Sequence, residues 1–477
     1  MNLSTATTAG TRYAALAHWL ANGIHDGVLR SGDRLPSVRQ LCQSHGVSPG
    51  TVQRALHLLE DRGLIESRPR AGFFVAQERR LQSLPLPGSI EYAQLLSLSE
   101  KSQLTLEFAQ RRDDDRLGIL SFKADLYPLD RIRKIMTDIM RRHPETLTAW
   151  HAHEPQLGAG IARHALEFGC HFAASDVLIT HGTIEGMGLA LRAVTRPGDT
   201  VLIAVPCEFE LLETVSALGL QAAEVTTDAH GRVSIDAIAA ALDRQPVAAI
   251  VFTSMFLGPA RNAMADGDKA ALVALLAKRN VPLIEGDTYI SMHWNAKRSR
   301  PFKAFDEDGI VLYCGDLGIL ISPGLQLGYM VGQRYRRRLE LLQKASCEMP
   351  PSLLQKTAAT FMESGGFERH LLRFRRELHE QTQALAAVVR RCFPPSARIV
   401  EPVSAQLLWI EMPSGFDSVE LQRRAKADGI VFAPGVLFSF GNRFRHCLRL
   451  NSGHGCDMRT TAQLRRLGEI AAAMMAR

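Results

Sequence analysis

At 477 residues, the chain is longer than one ordinary hydrophobic core serves, so two or three domains are expected. Its 46% hydrophobic and 22% charged residues exclude long disorder, and no apolar run reaches the roughly 20 residues that cross a bilayer. A net charge of +7 suits a polyanionic partner without requiring one, and the eight cysteines form no CxxC pair, which speaks for free thiols in a cytoplasmic protein and against a zinc or disulfide framework.

In chain order, residues 12–24 (RYAALAHWLANGI) place Leu16, Leu20 and Ile24 four apart, which predicts an amphipathic helix. SVRQLCQSHG at 37–46 predicts a second, short helix with Val38 and Leu41 inward and Ser37 as N-cap. In VSPGTVQRALHLLEDRG (47–63), Ser48 caps a third helix and Pro49 opens it. Val52, Ala55, Leu56 and Leu59 form its buried stripe, and Gly63 stops it. GLIESRPRAGFFVA then reads as strand 64–67, turn 68–72 and strand 73–75.

Three helices and a two-stranded wing make a winged helix-turn-helix, whose third helix enters the DNA major groove. Gly50, Thr51, Gln53, Arg54 and His57 lie off the buried stripe of that helix. Arg34, Arg39, Arg54, Arg68 and Arg70 can sit on phosphates, and Gln53 can pair with an adenine edge. A solvated arginine face on a protein-binding winged helix is the plainer alternative.

The stretches GDRLPSVRQL, VSPGTVQRAL, LEDRGLIESR and GFFV make residues 10–78 resemble the GntR family of bacterial DNA-binding domains. By that resemblance, Arg39, Ser48, Thr51, Gln53 and Gly72 fall where the family touches double-stranded DNA. With Arg34, Ser37, Arg54 and Arg68 they form the expected DNA-binding set. Many members carry arginine at the position of Gln53, so an unusual target sequence is expected.

Residues 79–112 mix LPLPGS, QLLSLSEKS and RRDDDR and read as a linker, with a short helix around 90–98. It either tethers the head or packs on the larger C-terminal domain. From 113 to 477, strands at 176–180, 200–205, 248–253, 281–287 and 309–316 alternate with helices at 184–196, 209–219, 234–244 and 267–279. Such alternation predicts an α/β domain with a mostly parallel sheet and its functional groups at the carboxyl ends of the strands.

YPLD, LALRAVTRPGDTVLI, VPLIEGDTY, PFKAFDEDGIVLYCGD, PGLQLGYMVG and PGVLFSFGNRFRHCLRLNSG make 110–477 similar to fold type I pyridoxal-phosphate-dependent aminotransferases. With the head in front, the chain resembles the MocR subfamily of transcriptional regulators. The resemblance implies a seven-stranded sheet, a small C-terminal α+β part at about 370–477, a homodimer, and pyridoxal phosphate as the family cofactor.

The family's cofactor residues are missing at the matching positions. Ile319 stands where the Schiff-base lysine belongs, and Gly286 where the pyridine carboxylate belongs. Asp316 and Gly318 replace phosphate-binding serines, Gln326 replaces the phosphate arginine, and Gly258 replaces the ring asparagine. Asp287 should face away from the ring, because neighbours on a strand alternate.

The expectation is therefore a regulator without bound pyridoxal phosphate, without transaminase activity and without a metal. Its rival is a cofactor-responsive regulator or aminotransferase with a noncovalent site or a relocated lysine at Lys297 or Lys303. Tyr289 and Arg449 survive. In the family this arginine grips a carboxylate, so the pair marks a candidate pocket for a small carboxylate effector. Both residues also suit purely structural roles, and His151 and His153 alone make no metal site.

Overall fold

The computed structural model describes residues 12–25, 29, 32–61, 64–68, 72–75, 104, 116–118, 121–148, 154–225, 233–253, 264–294, 300–346, 349–400, 406–441 and 443–476. The expected helix at 90–98, His151, His153, Gly258, Lys297 and Arg70 lie outside these residues, as does the side chain of Arg68. The chain divides into two compact units, 1–97 and 98–477.

In the first unit, α1 (Arg12–His25), α2 (Val38–His45) and α3 (Pro49–Asp61) precede an antiparallel hairpin of β1 (Ile65–Arg68) and β2 (Gly72–Val75). Leu16, Leu20, Leu41, Val52, Ala55, Leu56 and Leu59 close its core together with Ile65 and Val75 of the hairpin. The helix ends follow their residues. Ser37 and Gln40 form a reciprocal capping box on α2, and Gly46 ends that helix in the left-handed conformation at φ 62. Residues 32–35 add to the wing, through Leu35 N–H to Phe73 O at 2.8 Å and Val75 N–H to Asp33 O at 2.9 Å.

The second unit is built on a seven-stranded sheet of order β3-β9-β8-β7-β6-β4-β5. Its strands are β3 (Val177–Thr180), β4 (Thr200–Ala204), β5 (Gln221–Val225), β6 (Ala249–Thr253), β7 (Leu283–Asp287), β8 (Val311–Asp316) and β9 (Gly328–Val331). The β5-β4-β6-β7-β8 run is parallel, and β9 runs antiparallel to both β8 and β3. The apolar runs of β3, β6 and β7 are buried throughout, as sheets covered on both faces require.

Helices α4 (Thr183–Val194), α5 (Phe209–Ala217), α6 (Ile235–Arg244) and α7 (Asp266–Arg279) connect strands, and α4 packs on β7, β8 and β9. After the short α8 (Gly318–Ile321) and α9 (Arg336–Ser346), the long α10 (Gly366–Cys392) leads into an antiparallel four-stranded sheet. That sheet comprises β10 (Arg398–Val400), β11 (Leu407–Glu411), β12 (Ala433–Pro434) and β13 (Cys447–Asn451), and α11 (Met458–Met475) packs on α10 beside it. This smaller lobe has its own core and draws Leu117 into it from far upstream.

Candidate functional site

In the first unit the candidate DNA-contact residues are set by the start of α3 and by the wing. Ser48 Oγ accepts the Thr51 N–H at 3.3 Å and lies 2.9 Å from Thr51 Oγ1, so both side chains are engaged in starting the helix. Gln53 and Arg54 are exposed on the outer face of α3, and Arg39 is exposed on α2. Ser37 is exposed, but its hydroxyl is committed to Gln40 Oε1 at 2.8 Å. At Gly72 (φ 103) an added Cβ would lie 3.5 Å from Arg34 Nε, so the Arg34 side chain runs over this glycine. Glu60 Oε1 accepts the Ser67 N–H at 3.2 Å and ties α3 to the wing.

In the second unit, four residues before Pro323 stands Ile319, half-buried against the core, with its backbone carbonyl accepting the Tyr127 hydroxyl at 3.3 Å. Its N–H donates to Asp316 Oδ1 at 2.8 Å. Asp316 Oδ2 faces Thr183 Oγ1 at 3.4 Å, where α4 begins. The amino end of a helix attracts an anion, and here the anion is the chain's own carboxylate. Burial pushes the Asp316 carboxyl upward, and hydrogen bonds from Ile319 and Thr183 oppose that shift.

Gly286 sits on β7 facing α4. A Cβ added there would lie 2.5 Å from Met187 Sδ and 3.3 Å from Thr253 Cγ2, so the space a side chain would need is already filled. Asp287 turns to the other face, accepting the Ile290 N–H at 3.0 Å and the Tyr313 hydroxyl at 2.8 Å. Gly318 is buried, with its N–H on Leu327 O at 2.7 Å. Gln326 is exposed at φ 48, where it ends the turn Pro323–Leu325. Lys303 is buried, and its Nζ reaches Asp306 Oδ2 at 2.7 Å, Gln333 Oε1 at 2.7 Å and Val311 O at 3.3 Å.

Tyr289, two residues past the end of β7, and Arg449 of β13 come together at 2% and 1% exposure. Arg449 Nη2 donates to Gly118 O at 2.9 Å, and its guanidinium stacks 5.0 Å from the Phe438 ring centre. Burial depresses the Arg449 pKa, and Tyr289, Glu210 and Glu208 oppose that shift. Burial also raises the carboxyl of Glu210, and it pushes that of Glu208, at the start of α5, up to about 7. Glu208 Oε2 and the nearby Thr253 Oγ1 are shut off from solvent and make no hydrogen bond of normal geometry. The sequence singled out the arginine and tyrosine, but not the burial of Glu208 near Thr253 or the Gly118 carbonyl that accepts from Arg449.

The two units match known proteins differently. Residues 12–75 match the family model "Bacterial regulatory proteins, gntR family". Over 464 residues the chain is 31% identical to the HTH-type transcriptional regulator YjiR of Escherichia coli (strain K12), covering 96% of this chain and 98% of that protein. It is 29% identical to the HTH-type transcriptional regulator YdcR of the same organism, again over 96% and 98%. Among solved structures, a kynurenine aminotransferase of Pyrococcus horikoshii superposes with a TM-score of 0.73 at 19% identity, covering 81% of this chain and 99% of that one, a likeness of fold. Among the described residues no helix is long and apolar enough to cross a membrane.

Proposed function

Because this chain belongs to the GntR-type HTH transcriptional regulators of MocR architecture, with an aminotransferase-like second domain, we propose that its second domain pairs two chains on DNA and senses a small carboxylate without pyridoxal phosphate. The first unit reads double-stranded DNA through Arg34, Arg39, Ser48, Thr51, Gln53, Arg54, Arg68 and Gly72, with Ser37 shaping the approach of α2. The protein works in the cytoplasm, and the second domain performs no transamination.

One observation carries the cofactor part of this reading: the Asp316 carboxylate lies against the start of α4 and accepts the Ile319 N–H at 2.8 Å. A second carboxylate-sized or phosphate-sized anion there would meet a like charge, at a cost of kcal/mol rather than a gain. Met187 behind Gly286 and the aliphatic Ile319 argue the same way. The residues present do not fit the coenzyme's ring, aldehyde or phosphate. Lys303 gives the rival reading no support, because its amine is already shared among three acceptors.

For the effector, the buried Arg449 supplies the charge and Tyr289 a hydroxyl, and Glu208 favours ligands that also bring a donor. Binding there would shift an equilibrium between two arrangements of the chain and so alter DNA affinity. Thermal unfolding of the full-length protein against small carboxylates tests this. A carboxylate that raises Tm in the wild type but not in Arg449→Lys, and changes DNA affinity, supports the proposal. A panel without any shift overturns the sensing part.

A further inference from the structure

We propose that the solvent face of α9 is a second DNA-contact surface, which grips phosphates outside the stretch read by the winged helix. This rests on the reading that the first unit binds DNA. The sequence RYRRRLELLQK at 334–344 sets Arg334, Arg337, Arg338, Leu341 and Lys344 at i, i+3, i+4, i+7 and i+10, and all five are exposed. Arg192 of α4 joins them, with its carbonyl accepting Arg338 Nη2 at 3.5 Å and its guanidinium donating to Ser346 Oγ.

Among the described residues the charge on this face is largely uncompensated. Of the run, Arg336 pairs with Glu340 at 2.8 Å. Among the described residues Arg337, Arg338 and Lys344 have no carboxylate within ion-pair distance. The helix Leu129–Arg142 is equally rich in arginine but pairs three of its cations, Arg133 with Asp130 and Arg141 and Arg142 with Asp138, leaving Arg131 on the Ser364 carbonyl and Lys134 exposed. A solvated helix face gains from such i, i+3 and i, i+4 pairing, whereas a phosphate-binding face keeps its cations unspent. Arginine suits phosphate by its planar fork, and neighbouring cations on one helix face can follow a backbone. DNA is the polyanion that this chain's first unit already brings close.

The test is salt dependence of full-length protein binding to duplexes of about 20 and about 60 base pairs, with the short one limited to the footprint of the head. In Arg337→Gln/Arg338→Gln/Lys344→Gln, the slope of log K against log salt on the long duplex should fall by roughly 2 to 3, with about tenfold or greater loss at low salt. On the short duplex both quantities should stay at wild-type values. An unchanged slope on the long duplex overturns the proposal, and so does an equal loss on both. Competition by polyglutamate but not by non-operator DNA would assign the face to an acidic polypeptide and also overturn it. If the wild type binds neither duplex, the reading of the first unit fails and takes this proposal with it.

Discussion

Asp316 accepts the backbone N–H of Ile319 at 2.8 Å, so a buried carboxylate at the end of β8 holds the residue three positions on. The contact joins the carboxyl end of β8 to the first turn of α8 and brings a negative charge to the start of α4. It turns a place suited to a bound anion into one filled by the chain itself.

Removing that carboxylate should therefore weaken the fold. Asp316→Ala leaves the Ile319 N–H and the start of α4 without their acceptor, for a loss of about 1–2 kcal/mol. Urea unfolding of the full chain checks it. An unchanged midpoint would mean that the carboxylate is not a structural anion.

Placing a carboxylate at Gly286 should fail for steric reasons. Gly286→Asp drives a Cβ to within 2.5 Å of Met187 Sδ and buries a new charge. The expected cost is about 2–4 kcal/mol, and Met187→Ala in the same chain should recover only the packing share. A Gly286→Asp protein as stable as wild type would refute the filled-space account.

Stability should fall as pH rises through neutrality. The Glu208 carboxyl titrates at about 7 in the folded chain, against an ordinary 4.5, because burial disfavours its charged form. The folded state thus holds a proton that the unfolded state has released, and the stabilisation present at low pH is lost as pH climbs through 7. Glu208→Gln should flatten this decline between about pH 5 and 8 by on the order of 1–3 kcal/mol. Part of the slope should persist, because burial also raises Glu285 to about 8 and Asp287 to about 6. Denaturation across that range checks it, and a slope unchanged in Glu208→Gln contradicts it.

On the reading head, two substitutions should act differently. Gln53→Ala should cost about 1–3 kcal/mol and relax preference at a single base position. Arg39→Ala should weaken all sequences alike and lower the salt slope by about 0.9. Binding to randomised duplex pools at two salt concentrations separates the two. Equal sequence preference in wild type and Gln53→Ala would remove Gln53 from the reading set.

The legible parts of this chain are those governed by local chemistry. Leu16 and Leu20 announced α1, Ser37 the start of α2, and apolar runs such as 249–253 the buried strands. Two strands were harder to read: the edge strand β5, QAAEV, is only half-covered and carries no strong apolar signal, and the interior β9, GYMV, is four residues long and bracketed by glycines. The isolated bridge of Arg34 to Phe74 beside the wing was also missed, because 32–35 pairs through its backbone rather than through β-favouring side chains.

In the candidate site, the residue types at each position could be read, but not what fills the space behind them. Nothing local ties Met187 to Gly286, Gly118 to Arg449, or Thr183 to Asp316. Those contacts exist because the sheet order brings α4 against β7 and β8, and because the segment around 117 folds back into the small lobe. The orientation of Asp287 was legible, since strand alternation alone sends it to Tyr313.

The central claim, that this regulator works without a coenzyme bond, is tested most directly by mixing purified full-length protein with excess pyridoxal phosphate, reducing with borohydride and mapping the peptides. The account predicts no Schiff-base absorbance band, no phosphopyridoxyl lysine above the level of surface labelling, and DNA binding unaltered by the coenzyme. A single lysine labelled stoichiometrically, with the matching band, would contradict it.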